Sequence, residues 1–140
     1  MNLQNFYNEL VSNNGASYNI TTGILNPQNG YFVSLPNREL QINRNELSTL
    51  VVSRFISANI DLLSNENNFV GGWIENGIVY LDVSEQIADK RTALNLGVQH
   101  NQLAIYDANN GKVISLPSPQ KSGTATQQRA YLTQAIDNLM

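Results

Sequence analysis

Val70-Gly71-Gly72-Trp73-Ile74-Glu75-Asn76-Gly77-Ile78-Val79-Tyr80-Leu81-Asp82-Val83-Ser84 decides how this chain folds. An Asn-Gly pair between two β-favouring runs is the strongest short-range hairpin signal, because both central residues of the tightest turn need positive φ. Strands are therefore expected at 69–74 and 78–83. In the second, Val79, Leu81 and Val83 alternate with Ile78, Tyr80 and Asp82. Both faces stay apolar until Asp82, which predicts a central strand with its polar end at the sheet rim. Gly71 and Gly72, just before the one tryptophan, predict a bulge or a backbone approached closely by an aromatic side chain or a ligand.

Beyond this hairpin, Ser84 or Asp89 can cap a helix carrying Ile87, Leu94 and Val98 and ending near His100-Asn101. Gln102–Asp107 and Lys112–Leu116 flank Asn109-Asn110-Gly111 as a second tight hairpin. Strand, helix and strand with short joints predict a split βαβ-like unit. Pro117 to Gly123 is a linker by composition. Thr124 and Gln127 then fit a capping box, and Leu132, Ala135, Ile136 and Leu139 edge a last helix.

Towards the N-terminus, Leu3, Phe6, Tyr7, Leu10 and Val11 share one helical face, and Asn13-Asn14-Gly15 ends that helix. Residues 16–22 and 31–35 are β-favouring and joined by turn residues, which predicts a hairpin with a wide loop. A short strand follows at 39–42. Asn43 and Glu46 suggest a helix start, with the longest helix running from about 45 to 63. Its apolar arc is wide enough to predict burial on nearly all sides, or burial on one side and self-association, as in a homodimer, on the other. The expected fold is α+β: a mixed, mainly antiparallel sheet of hairpins, a long central helix, the split βαβ-like unit and helices at both ends. Residues 1–116 are expected to form one domain, 117–123 a linker, and 124–140 a helix docked on that domain or on a neighbouring subunit.

Composition narrows the function classes. At 140 residues and 41% hydrophobic the chain can bury a core without staples. With no cysteine, it has no disulfide, thiolate metal site or Cys nucleophile. The net charge is −3 and charged residues are only 14%. Its eight basic residues are scattered, which argues against direct nucleic-acid binding through a phosphate-tracking stripe. No apolar run approaches the ~20 residues that span a bilayer. The first residues show neither a basic nor an apolar signal region, so no membrane association and a cytoplasmic location are expected.

Candidate chemistry is sparse. His100 is the only histidine, placed where a helix C-terminus favours a partly charged ring, so a Ser-His-Asp triad or an imidazole metal site would depend on it alone. Asp82 and Asp107 fall at predicted strand ends, where two carboxylates can act as acid and base or hold a hard cation, or simply line a solvated rim. Neither sits in a recognisable catalytic or metal pattern, so no catalytic residue, metal or cofactor is assigned. Tyr18, Asn19, Tyr31, Trp73, Tyr80 and Asp82 are the candidate ligand- or partner-binding residues: aromatics on strands with amides nearby can line a pocket for a planar ligand, though β-propensity alone also places aromatics in a core.

Several runs carry a resemblance: Gly15-Ala16-Ser17-Tyr18-Asn19, Thr22-Gly23, Asn26-Pro27, Gly30-Tyr31-Phe32-Val33-Ser34-Leu35, Gly72-Trp73, Val79-Tyr80-Leu81-Asp82-Val83-Ser84, and Asn101-Gln102-Leu103-Ala104-Ile105-Tyr106-Asp107. Over roughly residues 14–116 they resemble small accessory proteins of bacteriophages and other mobile elements. The resemblance implies a setting, the bacterial host cytoplasm, more than an activity. Two functions are expected from different classes. One is a non-enzymatic inhibitor binding a host defence protein, including a basic nucleic-acid-binding one whose site an acidic surface can cover. The other is a protein sequestering a nucleotide-like signalling molecule in an aromatic pocket.

Overall fold

The computed structural model describes residues 3–117 and 125–140. Five α-helices and seven strands lie along these residues, in an α+β fold whose pairings within each compact unit are antiparallel. The chain divides into two such units, one made of residues 1–27 and 35–86, the other of 28–34 and 87–140. No helix among the described residues is long and apolar enough to cross a membrane.

The first unit is a sheet covered on one face by helices. Helix α1 (Leu3–Asn13) leads into β1 (Gly15–Tyr18) through Asn14, whose φ of 61° supplies the left-handed corner. Strand β3 is Leu40–Asn43, and the hairpin pairs β4 (Asn68–Glu75) with β5 (Ile78–Ile87). Asn76 and Gly77 have φ of 51° and 76°, as a tight primed turn requires. The register puts Trp73 opposite Tyr80 and Gly71 opposite Asp82. On the outer sides, β1 pairs with β4 and β3 pairs with β5. Because side chains alternate across a strand, Ala16, Tyr18, Val70, Val79, Leu81 and Val83 all reach the inner face. There they meet Phe6 and Leu10 of α1, Val52, Phe55 and Ile56 of α2 (Thr49–Ala58), and Leu63 of α3 (Ile60–Leu63).

The long helix expected from 45 to 63 starts later and is broken. Arg44–Glu46 is a single 3-10 turn, and the Asn43 side chain donates to the Glu46 carboxylate instead of capping the backbone. Ser48 is the N-cap, its hydroxyl accepting from the Val51 N–H at 3.2 Å. At Asn59 the backbone leaves the helix; its amide donates to the Phe55 carbonyl at 2.8 Å and accepts from Arg38 at 3.0 Å. Burial follows one side, with Leu50 and Ile60 left exposed, so the arc is not enclosed on nearly all sides.

The wide hairpin expected across residues 16–35 does not form. β1 takes β4 as its partner, and β2 (Tyr31–Ser34) takes β6 (Ala104–Asp107). In this second unit β6 also pairs with β7 (Lys112–Ser115), as the Asn109-Asn110-Gly111 turn predicts. Helix α4 (Lys90–Gln99) is capped by Asp89, which accepts from the Thr92 N–H at 2.9 Å, and closes at His100. Ser84 stays in β5, which runs longer than expected. A side chain at Gly97 would meet Leu116 at 2.6 Å and Ile105 at 2.9 Å, so the glycine lets α4 lie close to the strands. Val33, Ala93, Leu94, Ile105, Ile114 and Ile136 form the core. Ile136 comes from α5 (Ala125–Leu139), which Asp137 ties to Arg91 of α4 at 2.7 Å. Thr124 and most of the expected linker lie outside the described residues.

Candidate functional site

The outer face of the first unit's sheet is the side opposite α1 and α2, and its composition changes along the strands. Phe69, Asp82 and Ser84 occupy one end and are buried. The other end carries a row running Gly15, Trp73, Tyr80 and Gln41 across β1, β4, β5 and β3. The Trp73 and Tyr80 rings stack with centroids 4.8 Å apart and planes 10° from parallel, and Trp73 keeps 38% of its surface exposed. Such a pair contributes about 0.5–1.5 kcal/mol beyond its buried area. The ring faces turned away from the stack look along the row, Trp73 towards Gly15, which has no side chain, and Tyr80 towards Gln41. Next to this row Glu75, Ile78 and Asn43 form another. Gln41, Ile42, Asn43, Glu46 and Ile78 line a shallow open hollow of about 280 Å³.

Gly71 and Gly72 are explained by side chains of this chain, neither of them aromatic. A Cβ at Gly71 would lie 2.5 Å from the Asp82 carboxylate, so Asp82 folds over the strand at that place. A Cβ at Gly72 would meet Leu10 at 3.1 Å on the other face. Asp82 lies mid-strand in β5 and is 6% exposed, not at a solvated rim as its sequence position suggested.

The six candidate residues thus separate. Trp73, Tyr80 and Asp82 share the outer face. Tyr18 is on the inner face, its ring 6.3 Å from that of Phe6. Asn19 is buried in the turn after β1, where it donates to the Glu66 carbonyl at 2.6 Å and accepts from the N–H groups of Thr21 and Thr22. Tyr31 belongs to the second unit and packs on its core. Gln41 and Asn43, opposite Tyr80 and Ile78, complete the open end of the face, whereas Leu40 (37% exposed) stands opposite Leu81 on the inner face. The alternation of β3 could have marked them, since its expected strand was one residue out of place.

His100, Asp107, Arg38 and Asp61, away from this face, have structural partners. His100 closes α4, with Nδ1 3.3 Å from the Ser34 carbonyl. Asp107 sits in the β6–β7 turn, where the Asn110 side-chain amide, reinforced by the Asn109 and Asn110 backbone N–H groups, holds its carboxyl below the ordinary range. Arg38 grips Asp61 in a bidentate pair at 2.9 and 3.1 Å; that hydrogen bond lowers the Asp61 carboxyl and raises the Arg38 guanidinium. Among the described residues no three His, Asp or Glu side chains gather as a metal site. No family model, curated protein or solved structure matches the chain.

Proposed function

We propose that this protein is a non-enzymatic binding protein of a phage or mobile element, acting in the bacterial cytoplasm by docking on a host protein, such as a defence component, and blocking it. The exposed Trp73–Tyr80 stack on the open end of the outer face carries this reading. Large, rigid aromatics that keep their surface in solvent are the side chains that anchor protein interfaces. They sit here beside the partly exposed Ile78 and the amides of Gln41 and Asn43, an apolar centre with a polar rim. The acidic balance of the chain suits a basic partner.

The nucleotide-trapping reading has weaker support. It needs several aromatics around one pocket, whereas Tyr18 faces the core and Tyr31 belongs to the other unit. Capture from a bacterial host lysate tests the leading reading when run with Trp73→Ala beside the parent. A stoichiometric partner held by the parent and lost by the variant supports it. Capture unaffected by the substitution, or a thermal shift with nucleotides and no protein partner, refutes it.

A further inference from the structure

The site has a feature that specifies what kind of segment it receives. Strand β3 is bonded on one side only: β5 is its partner, and no other described strand pairs with it. Which of its backbone groups are free follows from the ladder. The Arg44 N–H donates to the Gly77 carbonyl at 2.9 Å, one step beyond the Asn43–Ile78 pair. Opposed residues of an antiparallel ladder alternate between pairs that exchange hydrogen bonds and pairs that do not. Leu40 and Ile42 therefore bond to β5, while the N–H and C=O groups of Gln41 and Asn43 point away from it to the open edge. The same two residues place their side chains in the rows of Tyr80 and Ile78.

We propose, building on the reading of the outer face as the docking site, that the partner inserts an extended basic segment as an additional strand along β3. Gln41 and Asn43 supply the main-chain bonds, the recurring mode by which exposed sheet edges take peptides. A strand added there lies ~4.8 Å from β3. Its residue opposite Gln41, if directed to the outer face, extends the row Gln41, Tyr80, Trp73. A lysine or arginine at that position reaches over Gln41 to the free face of Tyr80, within the ~6 Å of a cation–π contact. Charge selects this chemistry. Glu39, Glu46 and Glu75 are exposed around the edge, and neither of the ion pairs among the described residues involves them. Of the two arginines flanking β3, Arg38 is held by Asp61, and among the described residues Arg44 is in neither ion pair. The second unit's edge strand, β7, also pairs on one side only among the described residues, but it carries Lys112, the type of residue that blunts an edge.

Trp73 is the only tryptophan, so its fluorescence reads the site directly. The probes are a hexapeptide alternating lysine and valine, its glutamate–valine counterpart, and the lysine peptide N-methylated at alternate residues on the edge that would face β3. Saturable change of Trp73 emission by the lysine peptide, weakened by salt, is expected, with a loss of about tenfold or more in affinity for both other peptides. Gln41→Pro should cause a similar loss, because proline is tolerated on a strand edge whose N–H faces solvent yet cannot donate there. The N-methylated peptide keeps the test decisive even if that variant folds poorly. Equal binding of the methylated or the acidic peptide, or no saturable change up to about millimolar lysine peptide, overturns strand addition. In the lysate experiment, a partner lost with Trp73→Ala but kept with Gln41→Pro overturns strand addition and leaves the outer-face reading standing. A partner kept with both removes that reading too.

Discussion

The two outer strands of the first unit's sheet end in opposite ways. Beyond β1 the chain folds back on itself: Leu25 bridges Tyr18, the Asn26 N–H donates to the Ser17 carbonyl at 2.8 Å, and the Asn26 side chain accepts from the Ser17 N–H at 2.9 Å. Both backbone groups that Ser17 turns to that edge are satisfied. Strand β3 has the same number of residues and the same antiparallel partnering, yet among the described residues no strand pairs with its far side. Open strand edges invite association, and proteins usually blunt them. One edge is closed by a short returning segment and the other is left without a strand partner, and it is the second that the proposed strand addition uses.

The strongest perturbation of this contrast is to loosen what supports the closed side. Leu10 fills the space over Gly72 under β1 and β4, so Leu10→Ala should cost about 2–5 kcal/mol in urea unfolding. A loss below about 1 kcal/mol would mean that helix α1 is not seated there. Breaking the seal itself should cost less. Asn26 has a φ of 50° and holds Ser17, so Asn26→Ala should lose about 1–2 kcal/mol from the left-handed strain alone. Hydrogen exchange then sharpens the comparison. The Ser17 amide, protected in the parent, should exchange in the variant as fast as Gln41 and Asn43 do in both. Slow exchange at Gln41 and Asn43 in the parent would show that the two edges are alike.

The smallest effect is expected at the anchor just before β3. The Asp61 carboxyl is depressed in the folded chain by Arg38, so the pair's contribution is fully present above the unfolded value near 3.8 and is lost as pH falls through the lower folded value. Both side chains are partly in solvent, which screens the gain. Asp61→Asn should slightly lower the thermal midpoint at pH 7 and flatten its decline in acid. An unchanged acid profile would assign that decline to other carboxylates, Asp107 and Asp89 being the others held low.

Much of this architecture was legible wherever a local rule had no competitor. Asn76-Gly77 fixed a two-residue turn, and a turn of that length leaves only one partner for each strand residue, including Tyr80 for Trp73. His100 at the end of α4 and the apolar face of α1 were equally readable. The misses arise where a distant residue intervenes. Apolar spacing runs straight through Asn59, but Arg38, 21 positions away, helps hold its side chain at the break. The stretch before Asn26 looks like half of a hairpin, and it is the partner choice of β1 and β2 that undoes this. Asp82 reads as a strand end because it is charged; only the absence of a side chain at Gly71 lets it stay inside a strand. For the site, Trp73 and Tyr80 were identifiable from the hairpin, whereas setting Tyr18 apart from them required knowing which face α1 covers.

The abundant asparagines also give this molecule a way of ageing. Among the described residues five of them, Asn14, Asn26, Asn37, Asn76 and Asn101, hold left-handed corners, and glycine follows Asn14 and Asn76 as it does Asn29 and Asn110. In an Asn-Gly pair the unshielded glycine nitrogen can attack the side-chain carbonyl carbon, expelling ammonia and closing a succinimide, which water then opens to an aspartyl or isoaspartyl residue. Aspartate tolerates the same corner, so that product can keep the turn while adding a negative charge to a chain already at −3. The isoaspartyl product lengthens the backbone by an extra carbon, and at Asn76 that would shift the register aligning Trp73 with Tyr80. Stored protein would then separate into charge forms on isoelectric focusing, with the age of the sample written in its turns.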